Sequence, residues 1–187
     1  YGTVQKGVDT LIMIDDSIVR GTTLKESIVR MLSRLEPKKI IIVSSAPPVL
    51  YPDCYGIDMS QLGKFIAFQA GIEILKDRGE EKTLTELYKE GTHKKNEHEK
   101  LAKNPLHKMY HSFTLDELSQ KIAKLISPPS STIPIQVIYQ SLEGLHSAMP
   151  NFKGDWYFTG EYPTPGGYKV LQNSLLKWHL KDSSRSY

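Results

Sequence analysis

The 187-residue sequence contains very little cysteine, no long apolar run and only a small excess of charge. Its single cysteine, Cys54, excludes an intrachain disulfide and a cysteine-cluster metal site, and it fits a reducing compartment. No apolar run approaches the roughly 18 residues that a membrane-spanning helix needs. The N-terminus lacks the apolar segment of a signal peptide. The composition therefore predicts a cytoplasmic protein that does not enter a membrane.

The net charge of +3 is spread along the chain instead of forming one basic tract. Lysines gather between 91 and 108, but glutamates and histidines are interleaved with them. This mixture is typical of a solvated helix or loop, so we expect no nucleic-acid interface. The histidines of this region do not form the H-E-x-x-H zinc signature; they are His93, His98, His107 and His111.

The common glycine-rich phosphate motifs are also missing. The sequence has no G-x-x-x-x-G-K-[ST] loop and no G-x-G-x-x-G fingerprint, so it lacks the signatures of a P-loop and of a dinucleotide-binding site. What it has instead is the segment LIMIDDSIVRGTT, from Leu11 to Thr23. An apolar run there leads into two adjacent carboxylates and then a glycine-threonine turn.

Hydrophobic patterning predicts alternating strands and helices. The unbroken apolar run at 10–14 is typical of a strand in a parallel sheet covered on both faces. A second apolar strand begins at Lys38, and the helix between the two strands carries apolar residues at helical spacing: Leu24, Ile28, Leu32 and Leu35. Strand, helix and strand with short connections favour an α/β fold with a mostly parallel sheet and flanking helices.

The rest of the chain continues this pattern. We expect helices at 63–79, 113–126, 141–149 and 168–180, polar helical segments up to 103, and a strand at 135–140. Two capping boxes mark helix starts: Thr23 with Glu26, and Thr114 with Glu117. The two glycines of TPGGYKV are expected in a turn before the last helix. Aromatic residues should anchor the C-terminal segment by packing: Trp156, Tyr157 and Trp178.

Asp15 and Asp16 follow the first strand, at the sheet edge where open parallel sheets bind ligands. Two neighbouring carboxylates repel each other, so they need a cation or hydroxyl donors; Mg²⁺ and a sugar diol would supply both. The turn from Ser17 to Thr23 opens a helix, whose unpaired N–H groups and dipole attract an anion. Gly21 lets the backbone approach closely. This pattern predicts a ribose 5-phosphate pocket; the alternative is an acidic turn and a helix start without a ligand.

The motif DDSIVRGTT resembles the phosphoribosylpyrophosphate (PRPP) motif of type I phosphoribosyltransferases, and in particular that of the amidophosphoribosyltransferase family. Three further segments are similar to that family: SSAPP after the second strand, YPDCYGIDM at 51–59, and FTGEYPT at 158–164 after a strand and helix. The resemblance runs from Thr10 to about Met59 and resumes near Ile135.

This resemblance implies an enzyme that displaces pyrophosphate from C1 of PRPP with ammonia released from glutamine, forming 5-phosphoribosylamine for purine synthesis. Asp15 and Asp16 are implied as the catalytic pair that binds the ribose hydroxyls and Mg²⁺. Purine nucleotides as feedback inhibitors, a glutaminase domain of the same parent chain and a homo-oligomer are implied as partners. The residues implied to wrap the substrate's 5-phosphate are Ser17, Ile18, Val19, Arg20, Gly21, Thr22 and Thr23.

The resemblance also implies that residues 1–187 are only part of a phosphoribosyltransferase domain. The chain begins at Tyr1 instead of Met and contains no glutaminase-like region, so we expect a C-terminal piece that is inactive alone. A sheet without its first strands would expose an apolar edge and face, which favours association. We predict an insertion at about 78–130, relative to shorter bacterial members, and a C-terminal strand-helix segment at about 135–187.

Two other functions stay open at this point. One is a non-catalytic module that senses PRPP or purine nucleotides, and the other is a salvage phosphoribosyltransferase, which the DDSIVRGTT turn and the YGIDM loop disfavour. Smaller uncertainties concern single side chains. Ser44 and Ser45 end the second strand and can contact a ligand, although loop hydrogen bonding is the simpler role. Asp58 fits an active site and a turn equally well, and Cys54 is expected in a loop or the core.

Overall fold

The structure, a computed structural model, describes residues 2–53, 59–93, 104–129, 131–151, 153–182 and 184. Three parallel strands form one sheet in the order β1-β2-β3, and helices flank it, which confirms the predicted α/β fold. The strands are β1 (Thr10–Asp15), β2 (Lys39–Ser44) and β3 (Ile135–Tyr139). The segment between β1 and β2 is helical, and it is called α1; its first part, Leu24–Val29, is π-helical and its second part, Arg30–Ser33, is α-helical.

Seven further helices follow in the described residues, and the four helices predicted beyond residue 60 are among them. A 3-10 turn at Leu62–Lys64 precedes α2. The helices are α2 (Ile66–Asp77), α3 (Lys82–His93), α4 (His107–Tyr110), α5 (Leu115–Ile126), α6 (Leu142–Ala148), α7 (Trp156–Thr159) and α8 (Pro165–His179). Because α8 begins at Pro165, a residue type suited to the first helical position, the two glycines lie inside its first turn. The prediction of a separate turn there is wrong.

The hydrophobic core lies on one face of the sheet. Ile40 and Ile42 of β2 are fully buried there, and α5 packs against β3, α2 and α1. The three aromatic residues predicted as anchors, Trp156, Tyr157 and Trp178, all pack against this core, so that prediction is confirmed. Within the described ranges, no helix is both long and apolar enough to cross a bilayer.

The opposite face of the sheet is open in the part of the chain that the structure describes. Side chains alternate between the two faces of a strand, so Ile12 and Ile14 of β1 point away from the core and remain 65% and 74% exposed. Ile138 of β3 lies on the same face and is 41% exposed. The expectation of a sheet covered on both faces is therefore wrong for the described residues, because the core packs on one face only.

Removal of one methyl group should destabilise the protein more on the buried face of the sheet than on the exposed face. Ile42→Val is expected to lower the free energy of unfolding by about 0.5–1.5 kcal/mol, because the methyl group lies in close-packed surroundings. Ile14→Val, the matched control on the neighbouring strand, should change it by less than about 0.5 kcal/mol, as exposed substitutions do. Urea unfolding of the two variants measures this; equal losses would show that the outer face is covered in solution.

The start of α1 differs from the sequence prediction. Thr23 already has helical backbone angles and its side chain makes no capping bond, so the predicted box with Glu26 does not form. The π-helical turn changes which residues face the core, since its hydrogen bonds join residues five apart. Leu24 and Val29, five apart, are both buried, whereas Leu35, predicted on the buried stripe, is 41% exposed.

The second predicted capping box is confirmed. Thr114 Oγ1 accepts from the Glu117 N–H at 3.2 Å, and Glu117 Oε2 accepts from the Thr114 N–H at 2.8 Å. That N–H, followed by the Arg78 guanidinium, lowers the pKa of Glu117. A carboxylate whose folded-state pKa is lowered contributes stability above its ordinary pKa, and the contribution is lost as the pH falls through the lowered value.

The two threonines form a matched pair for measuring the value of a cap. Thr114→Ala is expected to lower the free energy of unfolding by about 1 kcal/mol, the usual loss for a broken N-cap. Thr23→Ala should leave it within about 0.5 kcal/mol, because no cap is broken there. Chemical denaturation at neutral pH measures both variants. A similar loss for Thr23→Ala would mean that its hydroxyl does cap α1.

Candidate functional site

The loop between β1 and α1 forms a cleft at the carboxyl edge of the sheet, with a volume of about 500 Å³. We name it the loop cleft. Eight of the nine residues predicted from the sequence line it, namely Asp15 and the segment 17–23. Asp16 does not line it and is exposed beside it. Leu24, Ile28 and Met59 complete the walls, and sequence reasoning did not select these three residues.

The carboxylates lie where the strand register places them. Asp15 is paired with Ser44, and Ser44 with Tyr139, so all three strands end at this edge. Each carboxylate uses one oxygen locally: Asp15 Oδ1 accepts from the Asp16 N–H at 3.0 Å, and Asp16 Oδ1 accepts from the Ser17 N–H at 2.7 Å. Among the described residues the second oxygen of each has no protein donor, so both can bind a ligand hydroxyl or a cation.

The two carboxylates belong to the ligand type that Mg²⁺ takes in sites completed by a substrate. Mg²⁺ is usually held by one or two carboxylates together with waters and substrate phosphates. No group of three or more His, Cys, Asp or Glu side chains suited to a metal occurs in the described part of the chain. Any cation here would therefore be held by Asp15 and Asp16 plus oxygens that the ligand or water brings.

Gly21 shapes the backbone of the loop. Its φ of +69° is in the left-handed region that favours glycine. An added Cβ would lie 2.9 Å from Ile66 Cδ1, so the loop backbone packs directly on the start of α2. The Ile66 N–H also donates to Val19 O at 2.8 Å, and Ile18 is buried in the core. One side of the loop thus packs on α2 and the core, and its other side faces the cleft.

Backbone N–H groups at the start of α1 are available beside the loop cleft. The first α1 hydrogen bond of the α-helical type runs from the Lys25 N–H to Gly21 O, at 2.8 Å. The N–H groups of Thr22 and Thr23 precede it and have no helical acceptor, as at every helix start. Both side chains are exposed and line the loop cleft. N–H donors, hydroxyls and the positive end of the helix dipole therefore border one small volume, which suits an anion.

The serines at the end of β2 support the loop from the side. The Ser45 N–H donates to Asp15 O at 2.9 Å, and Ser45 Oγ donates to Asp16 O at 3.2 Å. Ser44 Oγ is used within its own turn, donating to Ala46 O at 2.8 Å. Loop hydrogen bonding, the simpler of the two expectations for these serines, accounts for both hydroxyls.

A cluster of side chains that the sequence did not reveal fixes the chain after β2. We name Tyr51, Asn104, Tyr110 and Tyr162 the tyrosine clamp. Tyr110 Oη donates to Leu50 O at 3.0 Å, and Tyr162 Oη donates to the carbonyl of residue 52 at 2.6 Å. Burial raises the pKa of Tyr51, against a smaller opposing effect of its hydrogen bond with Asn104. Burial likewise raises the pKa of Tyr110, so Tyr51 and Tyr110 stay neutral at physiological pH and keep their hydroxyl protons for donation.

The clamp connects to the loop cleft through the backbone. The Leu50 and Tyr51 N–H groups donate to Tyr157 O at 2.9 and 3.1 Å, and the Asp53 N–H donates to Met59 O at 2.9 Å. Met59 is a wall of the loop cleft. Residues 51–53 of the segment YPDCYGIDM thus contact the segment FTGEYPT, and both segments carry part of the family resemblance. Their partners are separated by more than 50 residues in sequence, which is why periodicity could not reveal them.

The remaining candidates have other partners or lie outside the described residues. His107 Nε2 is 2.9 Å from Thr159 O, and His111 Nδ1 is 2.9 Å from His107 O, so both rings contact backbone carbonyls. Cys54, Asp58 and His98 lie outside the described residues, as does the side chain of His93.

A parallel α/β sheet with a carboxylate and a glycine-threonine loop at its carboxyl edge is consistent with a phosphoribosyltransferase-like fold. Comparison of sequences gives a more specific likeness. Over 75 residues, 40% of this chain, it is 44% identical to the amidophosphoribosyltransferase of Pasteurella multocida. The enzymes of Haemophilus influenzae and Escherichia coli are also 44% identical to it, over 63 and 57 residues, or 34% and 30% of this chain. The resemblance stated from the motifs is confirmed.

The likeness is partial on both sides. The matched stretches cover 15%, 12% and 11% of the Pasteurella, Haemophilus and Escherichia proteins, so the chain matches a small share of their length. No family model matches the chain. The insertion predicted at about 78–130 stays a prediction; within it, α5 packs in the core on β3.

Proposed function

We propose that the loop cleft binds the ribose 5-phosphate part of PRPP, as part of an amidophosphoribosyltransferase. The observation that carries this proposal is the placement of Asp15 and the N–H groups of Thr22 and Thr23 in one cleft. A carboxylate suits sugar hydroxyls, and a helix start suits a phosphate. The 44% identity to enzymes of that name supports it independently. The relatives are enzymes by name, so nothing favours a non-catalytic sensor.

In the proposed reaction, ammonia forms a bond to C1 of the ribose while the bond from C1 to the pyrophosphate oxygen breaks. Positive charge develops at C1, and the carboxylates of Asp15 and Asp16 stabilise it while holding the hydroxyls. Residues 17–23 hold the 5-phosphate and so fix the sugar in position, which accounts for much of the rate. Mg²⁺, when bound by the two carboxylates and substrate oxygens, supplies charge neutralisation for the leaving pyrophosphate.

The proposal extends to the parent protein and its setting. We place this chain in the C-terminal part of a longer enzyme whose glutaminase domain supplies ammonia. Feedback inhibition by purine nucleotides, a homo-oligomer and a cytoplasmic location belong to the same proposal. The open apolar face with Ile12, Ile14 and Ile138 supports an association there, because exposed apolar patches mark interaction surfaces.

Calorimetric titration of the chain with PRPP and Mg²⁺ tests the proposal. We expect wild-type protein to bind and Asp15→Asn/Asp16→Asn to lose at least about 100-fold in affinity, or roughly 2.7 kcal/mol. The matched control is Glu80→Gln/Glu81→Gln, which neutralises two adjacent exposed carboxylates outside the loop cleft. It should bind as wild type does.

Equal binding by the aspartate variant and wild type would contradict the role given to the carboxylates. A loss in the glutamate control as large as in the aspartate variant would indicate a general charge effect. A second assay addresses catalysis in the longer protein: 5-phosphoribosylamine formation from PRPP and ammonia should disappear in the aspartate variant. Binding without any turnover by the longer wild-type protein would favour a PRPP sensor instead.

A further inference from the structure

A second and larger cleft, of about 960 Å³, lies at the other edge of the sheet. Its walls are the chain before β1, the α1 helix, and the chain before β3. The loop cleft is at the carboxyl ends of the strands, whereas this one is at their amino ends. The proposed PRPP site uses none of its lining residues.

Positive charge accumulates in this second cleft. Lys6, Lys25, Arg30 and Arg34 line it, and we name it the basic cleft. Two carboxylates, Glu26 and Glu36, also line it, which leaves an excess of two positive charges. The whole chain has a net charge of only +3. The positive excess at this one cleft is therefore equal to most of the net charge of the chain.

Three of these cations have no protein partner in the described part of the chain. Lys6 forms an ion pair with Glu36 at 3.0 Å. The side chains of Lys25, Arg30 and Arg34 make no hydrogen bond or ion pair with any described residue. Arg30 and Arg34 are four apart in the α-helical part of α1 and its end, so they project from the same side of the helix. Two adjacent unpaired guanidinium groups are suited to bidentate contacts with phosphate oxygens.

Hydroxyl groups line the basic cleft as well. Ser33 Oγ is buried and has no hydrogen-bond partner among the described residues. Ser131 Oγ accepts from the Ile133 N–H at 3.3 Å, which leaves its own proton available to a ligand. A ligand that brings acceptor oxygens could therefore bind the Ser131 hydroxyl and the arginines together.

The walls of the basic cleft are ordered by backbone contacts. The Gly7 N–H donates to Glu36 O at 2.8 Å, which fixes the chain before β1 to the end of α1. Glu36 has a φ of +49°, an uncommon conformation for a residue other than glycine, and this bond helps to hold it. The Ser131 N–H donates to Pro128 O at 3.0 Å and so closes a turn in the opposite wall.

We propose that the basic cleft is a binding site for a small polyphosphate anion, separate from the PRPP site. The shared chemistry is a chain of phosphoryl groups, whether it is inorganic or attached to an organic body. The guanidinium groups of Arg30 and Arg34 bind the phosphoryl oxygens, Lys25 adds charge, and the Ser131 hydroxyl donates to one oxygen. The site depends on fork-shaped donors as well as on charge, and this distinguishes it from general attraction to a basic surface.

Calorimetric titration of the chain with tripolyphosphate, without Mg²⁺, tests this proposal. Arg30→Gln/Arg34→Gln should lose at least about tenfold in affinity, or roughly 1.4 kcal/mol. Arg30→Lys/Arg34→Lys keeps both charges and removes the forks, so it should show an intermediate loss. The matched control Lys153→Gln/Lys169→Gln removes two exposed cations outside the basic cleft and should bind as wild type does. Unchanged melting temperatures verify that each variant is folded, and Lys25→Gln is the substitute if the arginine variant is not.

Three outcomes would overturn the proposal. One is the absence of tripolyphosphate binding to wild-type protein at physiological ionic strength. Another is a loss of affinity in the control Lys153→Gln/Lys169→Gln as large as that in Arg30→Gln/Arg34→Gln, which would indicate a non-specific charge effect. The third is stronger competition by an acidic peptide, such as an oligoglutamate, than by inorganic triphosphate, which would identify a protein partner instead. None of these results bears on PRPP binding, because the aspartate variants test that site separately.

Discussion

Gly160→Ala is expected to lower the free energy of unfolding by about 2–5 kcal/mol, because it combines backbone strain with overpacking. Gly160 ends α7 with a φ of +71°, in the left-handed region. An added Cβ would overlap Asn104 Nδ2 and lie 2.9 Å from the Tyr51 ring. Neither neighbour can move easily, since both are buried in the tyrosine clamp and Asn104 Oδ1 also accepts from the Leu106 N–H at 2.9 Å.

Gly79→Ala is the matched control for this prediction. Gly79 has a φ of +69°, but nothing lies within 4 Å of an added Cβ. Its loss should be limited to the strain of the left-handed conformation, about 1–2 kcal/mol. Thermal unfolding distinguishes the two variants, since each kcal/mol of lost stability lowers the melting temperature by roughly 2–4 °C in a chain of this size. Equal melting temperatures for the two variants would mean that the clamp adjusts without loss.

Gly21→Ala should weaken PRPP binding by about 10–100-fold, or roughly 1.4–2.7 kcal/mol. The φ of +69° and the 2.9 Å approach to Ile66 Cδ1 force the loop to shift when a Cβ is added. A shift moves the N–H groups of Thr22 and Thr23 away from the 5-phosphate. The prediction rests on the proposed PRPP site and is measured by calorimetric titration with Mg²⁺ present.

A second substitution tests the cause of that loss. In the Gly21→Ala background, Ile66→Ala removes the Cδ1 and Cγ1 atoms that the new Cβ would meet at 2.9 and 3.0 Å, so it should restore part of the affinity. Gly79→Ala imposes similar backbone strain in open space, far along the chain from the loop cleft, and should bind PRPP as wild type does. Failure of Ile66→Ala to restore any affinity would attribute the loss to backbone strain.

Local signals were enough to predict the main elements of the fold. The apolar runs at β1, β2 and β3 and the helical spacing of α2, α5 and α8 all appear in the structure. The capping box at Thr114 could be identified because it is a short-range pattern between residues three apart. The Thr23 box has the same letters and does not form. The backbone at Thr23 is already helical, a feature that the pattern of residue types does not encode.

What the sequence could not predict depends on contacts between distant segments. The loop at 15–23 was selected because carboxylates, glycine and threonines are contiguous there, and the structure brings eight of the nine predicted residues to one cleft. Met59, Asn104 and Tyr162 carry no such local signal. Asn104 and Tyr162 contact segments that are more than 50 residues away, and Met59 lines the cleft together with residues 15–28. The apolar run of β1 did not indicate its exposed face, since burial of an apolar strand depends on what packs over it; an exposed face was expected only from the family resemblance.

The tyrosine clamp also has a consequence for the order of folding. The hydrogen bond from Tyr162 to the residue 52 carbonyl spans 110 positions, and the one from the Leu62 N–H to Ser174 Oγ spans 112. Contacts of such sequence separation require closure of long loops and are slow to form. During synthesis, the chain that follows β2 therefore cannot form these contacts until the C-terminal segment has emerged. A chain that stops before Tyr162 would keep β1, β2 and the aspartates, yet lack the contacts that hold the far wall of the loop cleft.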